Sequence, residues 1–223
     1  MDPNAWQARW LRAGIGQWQR TCSHIEVMQS QTDIRIKSVF NYTFEGELTA
    51  QTQWLYTVNN NGIINVNVEV VLNDALPPMP RIGLSTTLSK QSNMQVNWLG
   101  LGPFENYPDR KAAARIGKYS ESLNELHTPY IFPTDSGVRS DCQWLNINSL
   151  TITGEFLFAV SEYSQNMLTQ AKHTNELIAD DCLHVYIDHQ HMGVGGDDSW
   201  SPSTHKEYLL EQKKYCYSLV FEA

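Results

Sequence analysis

The sequence predicts an all-β fold of antiparallel strands, with one short helix at its N-terminus. Apolar and polar residues alternate over several stretches, which is the pattern of strands that bury one face. The Asn-Asn-Asn-Gly turn at 59–62 joins two such stretches into a hairpin, because Asn and Gly tolerate the positive φ of a tight turn. The chain is also rich in aromatic residues, with 7 Trp and 10 Tyr, which suit both a β core and a sugar-binding surface.

The N-terminal helix is predicted from its two ends and from its apolar face. Asp2 can cap it, Pro3 fits its first position and Gly14 ends it. Trp6 and Trp10 are four residues apart and therefore lie on one face. Strands are predicted at 33–37, 54–58, 64–70, 82–84, 150–160, 183–187 and 215–221, and a second short helix is predicted at 164–171.

Composition restricts the class of protein. A chain of this size buries about seven-tenths of its surface, so neither disulfides nor metals are needed for stability. The formal net charge of −8 argues against nucleic-acid binding, no apolar run is long enough to cross a membrane, and the N-terminus lacks a signal peptide. The four cysteines form no CxxC pair and are expected to be free thiols in the cytoplasm. They are Cys22, Cys142, Cys182 and Cys216.

Two long stretches carry no regular pattern, one from residue 99 to about 139 and one from 188 to 202. Long loops inside a compact domain are uncommon and often functional, so candidate sites are sought there. In the first stretch, Glu105 and the Asp109-Arg110 pair are expected to form an internal ion pair that fixes the loop.

The second stretch contains three candidate motifs. His189 and His191 resemble a metal-binding arm, but alternation at a strand end also points two side chains the same way, which favours structural hydrogen bonding. Asp197 and Asp198 could be a carboxylate pair for glycosidic cleavage, but adjacent residues project to different sides, so a turn or helix cap is favoured. The glycines at 193, 195 and 196 lack the Lys-Ser/Thr that follows a phosphate-binding loop.

Trp200 differs from these motifs. It lies among Gly, Ser and Pro residues, where no amphipathic pattern requires a core residue. An indole face suits the C–H face of a pyranose. From the residues alone, Trp200 is therefore either a buried anchor or an exposed platform for a sugar.

Three runs in these loops are long and unusual, namely VNWLGLGPFENYPDR at 96–110, TPYIFP at 128–133 and HMGVGGDDSWSPS at 191–203. Together with DPNAW at 2–6, they resemble the C-terminal part of the large bacterial β-galactosidases of glycoside hydrolase family 2. The resemblance covers nearly the whole chain. It implies an antiparallel β-supersandwich similar to the galactose mutarotase fold, with residues 1–223 forming a single C-terminal domain that is truncated at its N-terminal edge.

The resemblance also implies a function for the chain within a larger enzyme. The family hydrolyses terminal β-D-galactosides such as lactose with retention, and its catalytic glutamates and magnesium ligands lie in a separate (β/α)₈ barrel. Nothing in this chain matches the barrel, so no catalytic residue is expected here and the chain alone is expected to be inactive. Trp200 matches the family tryptophan that forms a platform for the disaccharide, which favours the platform over the buried anchor.

Cofactors and partners follow from the same resemblance. The family has a peripheral sodium site to which Phe132, Pro133 and Leu168 correspond, although Ala171 stands where the family has Thr. Within this chain no other cofactor is expected, whereas magnesium and sodium are expected in the full-length enzyme. The implied partners are a galactoside, the barrel-containing remainder or large subunit, and further copies of the full-length enzyme. Neither nucleic acid nor a membrane is expected as a partner.

Other classes of function stay open. The same fold could serve a free-standing carbohydrate-binding module or a mutarotase-like aldose epimerase. An epimerase needs an exposed acid and base, for which His127, His173 and Glu155 are candidates by residue type. A further alternative is an assembly module that makes only oligomer contacts.

Overall fold

A computed structural model describes residues 4–198 and 203–223, and these contain eleven strands and three short α-helices. The helices are α1 (Trp6–Arg12), α2 (Leu123–Leu126) and α3 (Gln165–Gln170). The strands are β1 (Gln19–Gln29), β2 (Asp33–Phe44), β3 (Glu47–Asn59), β4 (Ile64–Leu72), β5 (Arg81–Ser89), β6 (Gln95–Gly102), β7 (Arg115–Ser122), β8 (Arg139–Ile147), β9 (Leu150–Ser161), β10 (Cys182–His191) and β11 (Lys214–Glu222). The described strand pairs are antiparallel. The predicted all-β fold with a short N-terminal helix is therefore confirmed.

The chain divides into two compact units. One consists of residues 1–80 with 192–223, and the other of residues 81–191. The assignment of 1–223 to a single C-terminal domain stays a prediction. Within the described residues, no helix is long and apolar enough to span a membrane.

The first unit is a five-stranded antiparallel sheet in the order β1-β2-β3-β4-β11. The predicted hairpin between β3 and β4 is confirmed, and Gly62 in its turn has φ 79°. Asn59 closes this turn, because its Oδ1 accepts hydrogen bonds from the backbone N–H groups of Asn61 and Ile63 at 2.9 and 3.0 Å. The turn chemistry read from the sequence thus sets the register of the two strands.

Helix α1 packs onto the same unit. It begins at Trp6 after Ala5, whereas the predicted cap Asp2 and Pro3 lie outside the described residues. The indoles of Trp6 and Trp10 stack with ring centroids 6.2 Å apart, and the Trp10 indole N–H donates to the carbonyl of Pro78 at 2.8 Å. Gly14 follows the helix with φ 69°, which confirms the predicted end.

The second unit pairs its strands in the order β7-β6-β8-β9-β10-β5. Its centre is fully buried and apolar, with Trp98 packed edge-on against Phe158 at a centroid distance of 5.6 Å. The predicted second helix is confirmed as α3, whose N-cap Ser164 accepts a hydrogen bond from the backbone N–H of Met167 at 3.2 Å.

The prediction of an irregular stretch from 99 to about 139 is wrong in part. Strand β6 continues through Gly102, and β7 and α2 both lie inside the stretch. The pattern failed because β6 is buried on both faces along its second half, which removes the polar half of the alternation. Its glycines meet neighbouring strands closely, and a Cβ on Gly100 would lie 2.5 Å from Cys142 Sγ. Residues 103–114 and 127–138 remain without regular helix or strand.

The stretch from 188 to 202 is likewise shorter than predicted. Residues 188–191 belong to β10, and the described part that lacks regular structure is 192–198. Strand β1 was not predicted at all, because it is exposed at every position and therefore shows no buried face. The cysteines are free thiols, as predicted, and Cys22 and Cys216 are exposed.

Candidate functional site

The loop that contains Trp200 is the first candidate, although residues 199–202, Trp200 among them, lie outside the described residues. The residues on both sides of this segment are joined, because the backbone N–H of Asp198 donates to Ser203 Oγ at 3.3 Å. The Thr204 hydroxyl donates to the carbonyl of Gly195 at 3.0 Å. The described ends of the loop are therefore held together by their own polar groups.

Two further residues explain why this loop has its sequence. A Cβ on Gly196 would overlap Ser203 Oγ, so only glycine allows the two sides of the loop to approach. Asp197 Oδ1 lies 2.7 Å from Nε2 of His205, across the loop. Asp197 thus has a hydrogen-bonding partner in the side chain of His205, and the turn or helix cap stays a prediction.

In the second unit, a polar cluster surrounds Arg81 at the start of β5. Its guanidinium pairs with Asp135 and donates to Nε2 of His191 at 3.1 Å, and Nη1 lies 3.6 Å from Asp188 Oδ2. Because a guanidinium only donates, Nε2 of His191 is the acceptor in this contact. The cluster joins β5 to β10 and to the irregular stretch that ends at β8.

Asp188 is the least solvated member of this cluster. Its side chain is 3% exposed, and Oδ2 has no hydrogen-bond partner among the described residues. Burial raises the pKa of Asp188 to about 6, against the opposing effect of Arg81. A carboxyl group with this pKa could exchange protons near neutral pH, but its burial keeps it from reaching a substrate.

The His189-Gln190-His191 motif does not have the geometry expected of it. The register of β10 against β5 shifts between Asp188 and Gln190, so His189 is an extra residue in the ladder and the simple alternation is interrupted. His191 is buried and is held by Arg81, in line with structural hydrogen bonding. Among the described residues, no group of three or more His, Cys, Asp and Glu side chains is placed to hold a metal ion.

Glu105 forms the centre of a second cluster in the second unit. Its carboxylate pairs with Arg110 and accepts hydrogen bonds from the hydroxyl of Tyr130 and from the backbone N–H of Gly137, the latter at 2.8 Å. Burial would raise the pKa of Glu105, but these three donors together lower it. The predicted ion pair of Glu105 with Arg110 is therefore confirmed. A carboxylate with a lowered pKa and three donors is a poor general acid, so its role is to join loop segments.

Arg139 forms a third cluster, and sequence reasoning missed it. Its guanidinium is 2% exposed and donates to the carbonyls of Pro103 and Gly137, both at 2.9 Å. It also pairs with Glu121 at 3.1 Å and lies over the Trp98 ring at 5.7 Å. No local signal marks Arg139 as buried, because an arginine in a mixed polar segment is normally exposed.

The residues predicted for a sodium site lie in the second unit. Leu168 is buried and lines a small cavity together with Asp135, Ser136 and Gly137. Pro133 is buried and Phe132 is 66% exposed, and both precede the cavity-lining residue Asp135 in the chain. The carboxylate that Asp135 brings to this cavity is paired with Arg81, and the sodium site stays a prediction.

The three epimerase candidates have separate neighbours. The His127 ring packs edge-on against Tyr163 at 5.6 Å, and His173 Nδ1 pairs with Glu176 at 3.2 Å. Glu155 is exposed and acts electrostatically on His189, whose pKa is lowered mainly by burial. These contacts tie each candidate to its own local structure.

The chain matches the protein family described as beta galactosidase small chain over residues 2–221. It is 78% identical over 220 residues to a β-galactosidase of Pseudoalteromonas haloplanktis, a match that covers 99% of this chain and 21% of the relative. A β-galactosidase of Alteromonas mediterranea is 58% identical over 99% of this chain, and one of Photobacterium profundum is 54% identical over 100% of it. Each match covers 22% of the relative. The chain thus spans about a fifth of the length of the curated relatives it matches.

Two solved structures overlap with the chain at much lower identity. One is a galactose 1-epimerase from Lactobacillus acidophilus, with TM-score 0.45 and 7% identity over 92% of this chain and 65% of that one. The other is an aldose epimerase homologue from C. elegans, with TM-score 0.45 and 12% identity over 89% of this chain and 67% of that one. The all-β fold class is established by the strand pairing of the chain itself.

Proposed function

The chain belongs to the beta-galactosidase small-chain family, and we propose that it is the C-terminal domain of a β-galactosidase of glycoside hydrolase family 2. The observation that carries this proposal is 78% identity over 99% of the chain to a β-galactosidase. The whole enzyme would hydrolyse terminal β-D-galactosides such as lactose with retention, which requires two carboxyl groups about 5 Å apart. Those glutamates would lie in a barrel domain outside this chain.

The contribution of this domain would be a wall of the substrate pocket and scaffolding for it. Trp200 would supply an apolar platform for the disaccharide, and such stacking is worth about 1 kcal/mol beyond the burial of area. The hydrogen bonds from Asp198 to Ser203 and from Thr204 to Gly195 support this proposal, because they hold the described ends of the loop that contains Trp200. A platform tunes affinity and breaks no bond.

The test uses a whole enzyme in which this chain replaces the matching fifth of the P. haloplanktis β-galactosidase. The chimera should hydrolyse a galactoside, and Trp200→Ala should raise its KM about fivefold, the equivalent of about 1 kcal/mol of lost stacking. Trp200→Phe keeps an aromatic face and should raise KM less. An inactive but folded chimera would contradict the proposed function, and a KM indifferent to both substitutions would contradict the platform.

The metal ions, the location and the assembly of the enzyme are proposed on the premise that the chain is part of a β-galactosidase. Sodium would be held near Phe132, Pro133 and Leu168, where it would stabilise the loop, and magnesium would bind to the barrel. The enzyme would act in the cytoplasm, a location that the four free thiols support. At full length it would assemble as a homo-oligomer.

A further inference from the structure

We propose that one apolar face of the first unit's sheet is a docking surface for the remaining four-fifths of a β-galactosidase, an inference that rests on the proposed function. We call it the open apolar face. Its exposed and half-buried part lies on β1, β2 and β3. The residues that define it are Ile25, Val27, Ile34, Ile36, Trp54 and Tyr56.

Strand register places these residues on one side of the sheet. Val27 lies opposite Ile36, which lies opposite Tyr56. The same row continues through β4 and β11 with Val66 and Leu219. Directly opposed residues in antiparallel strands share a face, so the row is apolar across all five strands.

Burial changes sharply along this row. Leu219 and Val66 are 2% and 4% exposed, as expected for a core, whereas Val27 at the far edge is 63% exposed. The neighbouring row also runs from Val68 at 2% to Ile25 at 65%, although Ser38 on β2, opposite Ile25, is 4% exposed. Trp54 and Tyr56, midway across the sheet, stack at 6.1 Å and are half-buried. A core face that is covered at one end and open at the other is incomplete in this chain.

The opposite face of the same strands is polar. Glu26 lies opposite Lys37, and His24 is 3.8 Å from Glu26 on that face. Soluble proteins normally protect an edge strand with charges, and here Glu26 points away from the open apolar face. Arg20, at the other end of β1, is on that face, where its guanidinium lies 5.0 Å from the centre of the Phe40 ring. A contiguous apolar patch whose charge lies at one end indicates a protein partner more than a sugar, which needs polar groups for orientation.

The remainder of the enzyme fits this surface better than a second copy of the chain. The curated relatives contain this segment within proteins about five times as long, joined to it by the backbone. A covalently linked neighbour is present at millimolar effective concentration, which a second molecule at ordinary concentration does not match. The partner is therefore an apolar protein surface from the other part of the enzyme.

Two native thiols provide a test without substitution. Cys22 lies opposite Phe40, and Ile25 lies opposite Ser38. Because Phe40 and Ser38 are two residues apart on β2, they share a face, and Cys22 is therefore on the open apolar face. Cys216 lies opposite Glu69 in a row that continues with Gln53 and Val39. This row is on the polar face. Both thiols are exposed in this chain. Pulse alkylation with peptide mapping by mass spectrometry measures the two rates separately.

The experiment compares the 223-residue chain with the whole chimeric enzyme described above. Alkylation of Cys22 should slow by about tenfold or more in the chimera, because the thiol then reacts only when the interface opens. Cys216 should keep its rate within about twofold, since an exposed site needs no opening. Equal slowing of both thiols would overturn the proposal.

Substitutions on β1 give a second measurement. Ile25→Lys with Val27→Lys places two charges on the open apolar face, and their high exposure leaves the fold of the chain intact. This variant should restore Cys22 alkylation in the chimera to within about twofold of the isolated chain, because buried unpaired lysines oppose docking. Met28→Lys, on the opposite face of the same strand, is the matched control and should leave Cys22 protected. Protection that survives the double substitution would overturn the proposal.

The outcomes separate the docking surface from the proposed function. An active chimera whose Cys22 reacts as fast as in the isolated chain overturns the docking surface and leaves the function standing. An inactive, folded chimera with protected Cys22 overturns the function and supports the surface. Protection of Cys22 in the isolated chain at rising concentration would identify a second copy as the occupant and overturn the proposal.

Discussion

Single residues of the second unit show how buried charge is used to fix loops. Arg139 donates to three backbone carbonyls and to Glu121, and its burial lowers its pKa without removing the charge of a guanidinium. Arg81 and Glu105 are likewise paired within their own clusters. Removing one partner from such a group leaves an unsatisfied buried charge. Substitution of these residues should therefore lower the free energy of unfolding more than substitution of an exposed ion-pair partner.

Asp188→Asn should change how stability depends on pH. The pKa of Asp188 is raised from 3.8 to about 6, so the folded state binds the proton more tightly than the unfolded state. The stability contributed by the protonated form is present below about pH 4 and is lost as pH rises through about 6. A rise in pKa of this size corresponds to a loss of about 3 kcal/mol of unfolding free energy as the pH rises. The Asn variant has no carboxyl group at this position and should not show this loss.

Urea unfolding at pH 4 and pH 7 measures this effect. The drop in unfolding free energy between the two pH values should be smaller in Asp188→Asn than in the natural chain. The exposed Asp74→Asn removes one acidic charge elsewhere and shows how much of the change comes from net charge alone. Equal drops in the Asp188→Asn variant and the natural chain would contradict the assignment.

Glu105→Gln should destabilise the second unit at neutral pH by about 1–3 kcal/mol, because the charged acceptor of three donors is lost. The lowered pKa of Glu105 means that its stabilisation is present above its unfolded value and is lost as pH falls through the folded pKa. The difference between the variant and the natural chain should therefore shrink in acid. Thermal unfolding at pH 7 and pH 3 checks both statements.

Arg110→Met serves as the comparison for this prediction. The Arg110 side chain is 51% exposed, whereas that of Glu105 is 7% exposed. An exposed ion-pair partner contributes at most about 1 kcal/mol. A loss from Arg110→Met as large as that from Glu105→Gln would show that the ion pair, and not the backbone contact to Gly137, dominates.

At the scale of elements, the sequence predicted most strands in which apolar residues on a buried face alternate with polar residues on an exposed face. It predicted β4, β9, β10 and β11 at their correct places, and the turn between β3 and β4 with its register. It missed β1, which is exposed throughout, and β6, which is buried on both sides in its second half. It also missed β7 and β8. Alternation carries information only about half-buried strands, which explains the failures at β1 and β6. Strand β8 does alternate in burial, but its buried positions include Arg139 and Ser140, which a hydropathy pattern does not mark as buried.

The contact of β5 with β10 supplies a prediction at this scale. Gly83 lies opposite Asp188 beside the bulge, and a Cβ on it would lie 2.6 Å from the Asp188 Cα and overlap the Ile187 carbonyl oxygen. Gly83→Ala should therefore cost about 1–3 kcal/mol of stability, since backbone cannot move away as a flexible side chain can. Chemical denaturation gives the value.

Ser85→Ala is the matched control, because Ser85 is exposed two residues further along β5 on the same face. It should change stability by no more than about 0.5 kcal/mol. If both alanines cost the same, the effect would come from the strand in general and not from the close approach at Gly83.

At the scale of the whole molecule, the chain is about a fifth of the relatives it matches, and this proportion shapes its proposed function. We predict that the purified 223-residue chain does not hydrolyse a chromogenic galactoside, because the carboxylates of its described clusters are engaged in structural pairs. The chimeric enzyme, assayed at equal molar concentration, is the positive control. Turnover by the chain alone, after removal of contaminating host enzyme, would refute the division between barrel and platform.

The all-β class, the hairpin turn, the ion pair of Glu105 with Arg110 and the membership of a family all followed from the order of the amino acids. The hairpin turn and the ion pair are local, fixed by residues a few positions apart, and the family membership follows from runs that can be recognised one by one along the chain. Folding in three dimensions was needed to bring Arg81 to Asp188 and His191, more than one hundred residues along the chain, and to leave one end of the first unit's apolar face open. Such contacts depend on strand order and on a bulge that shifts the register, and neither is encoded in the pattern of any single segment.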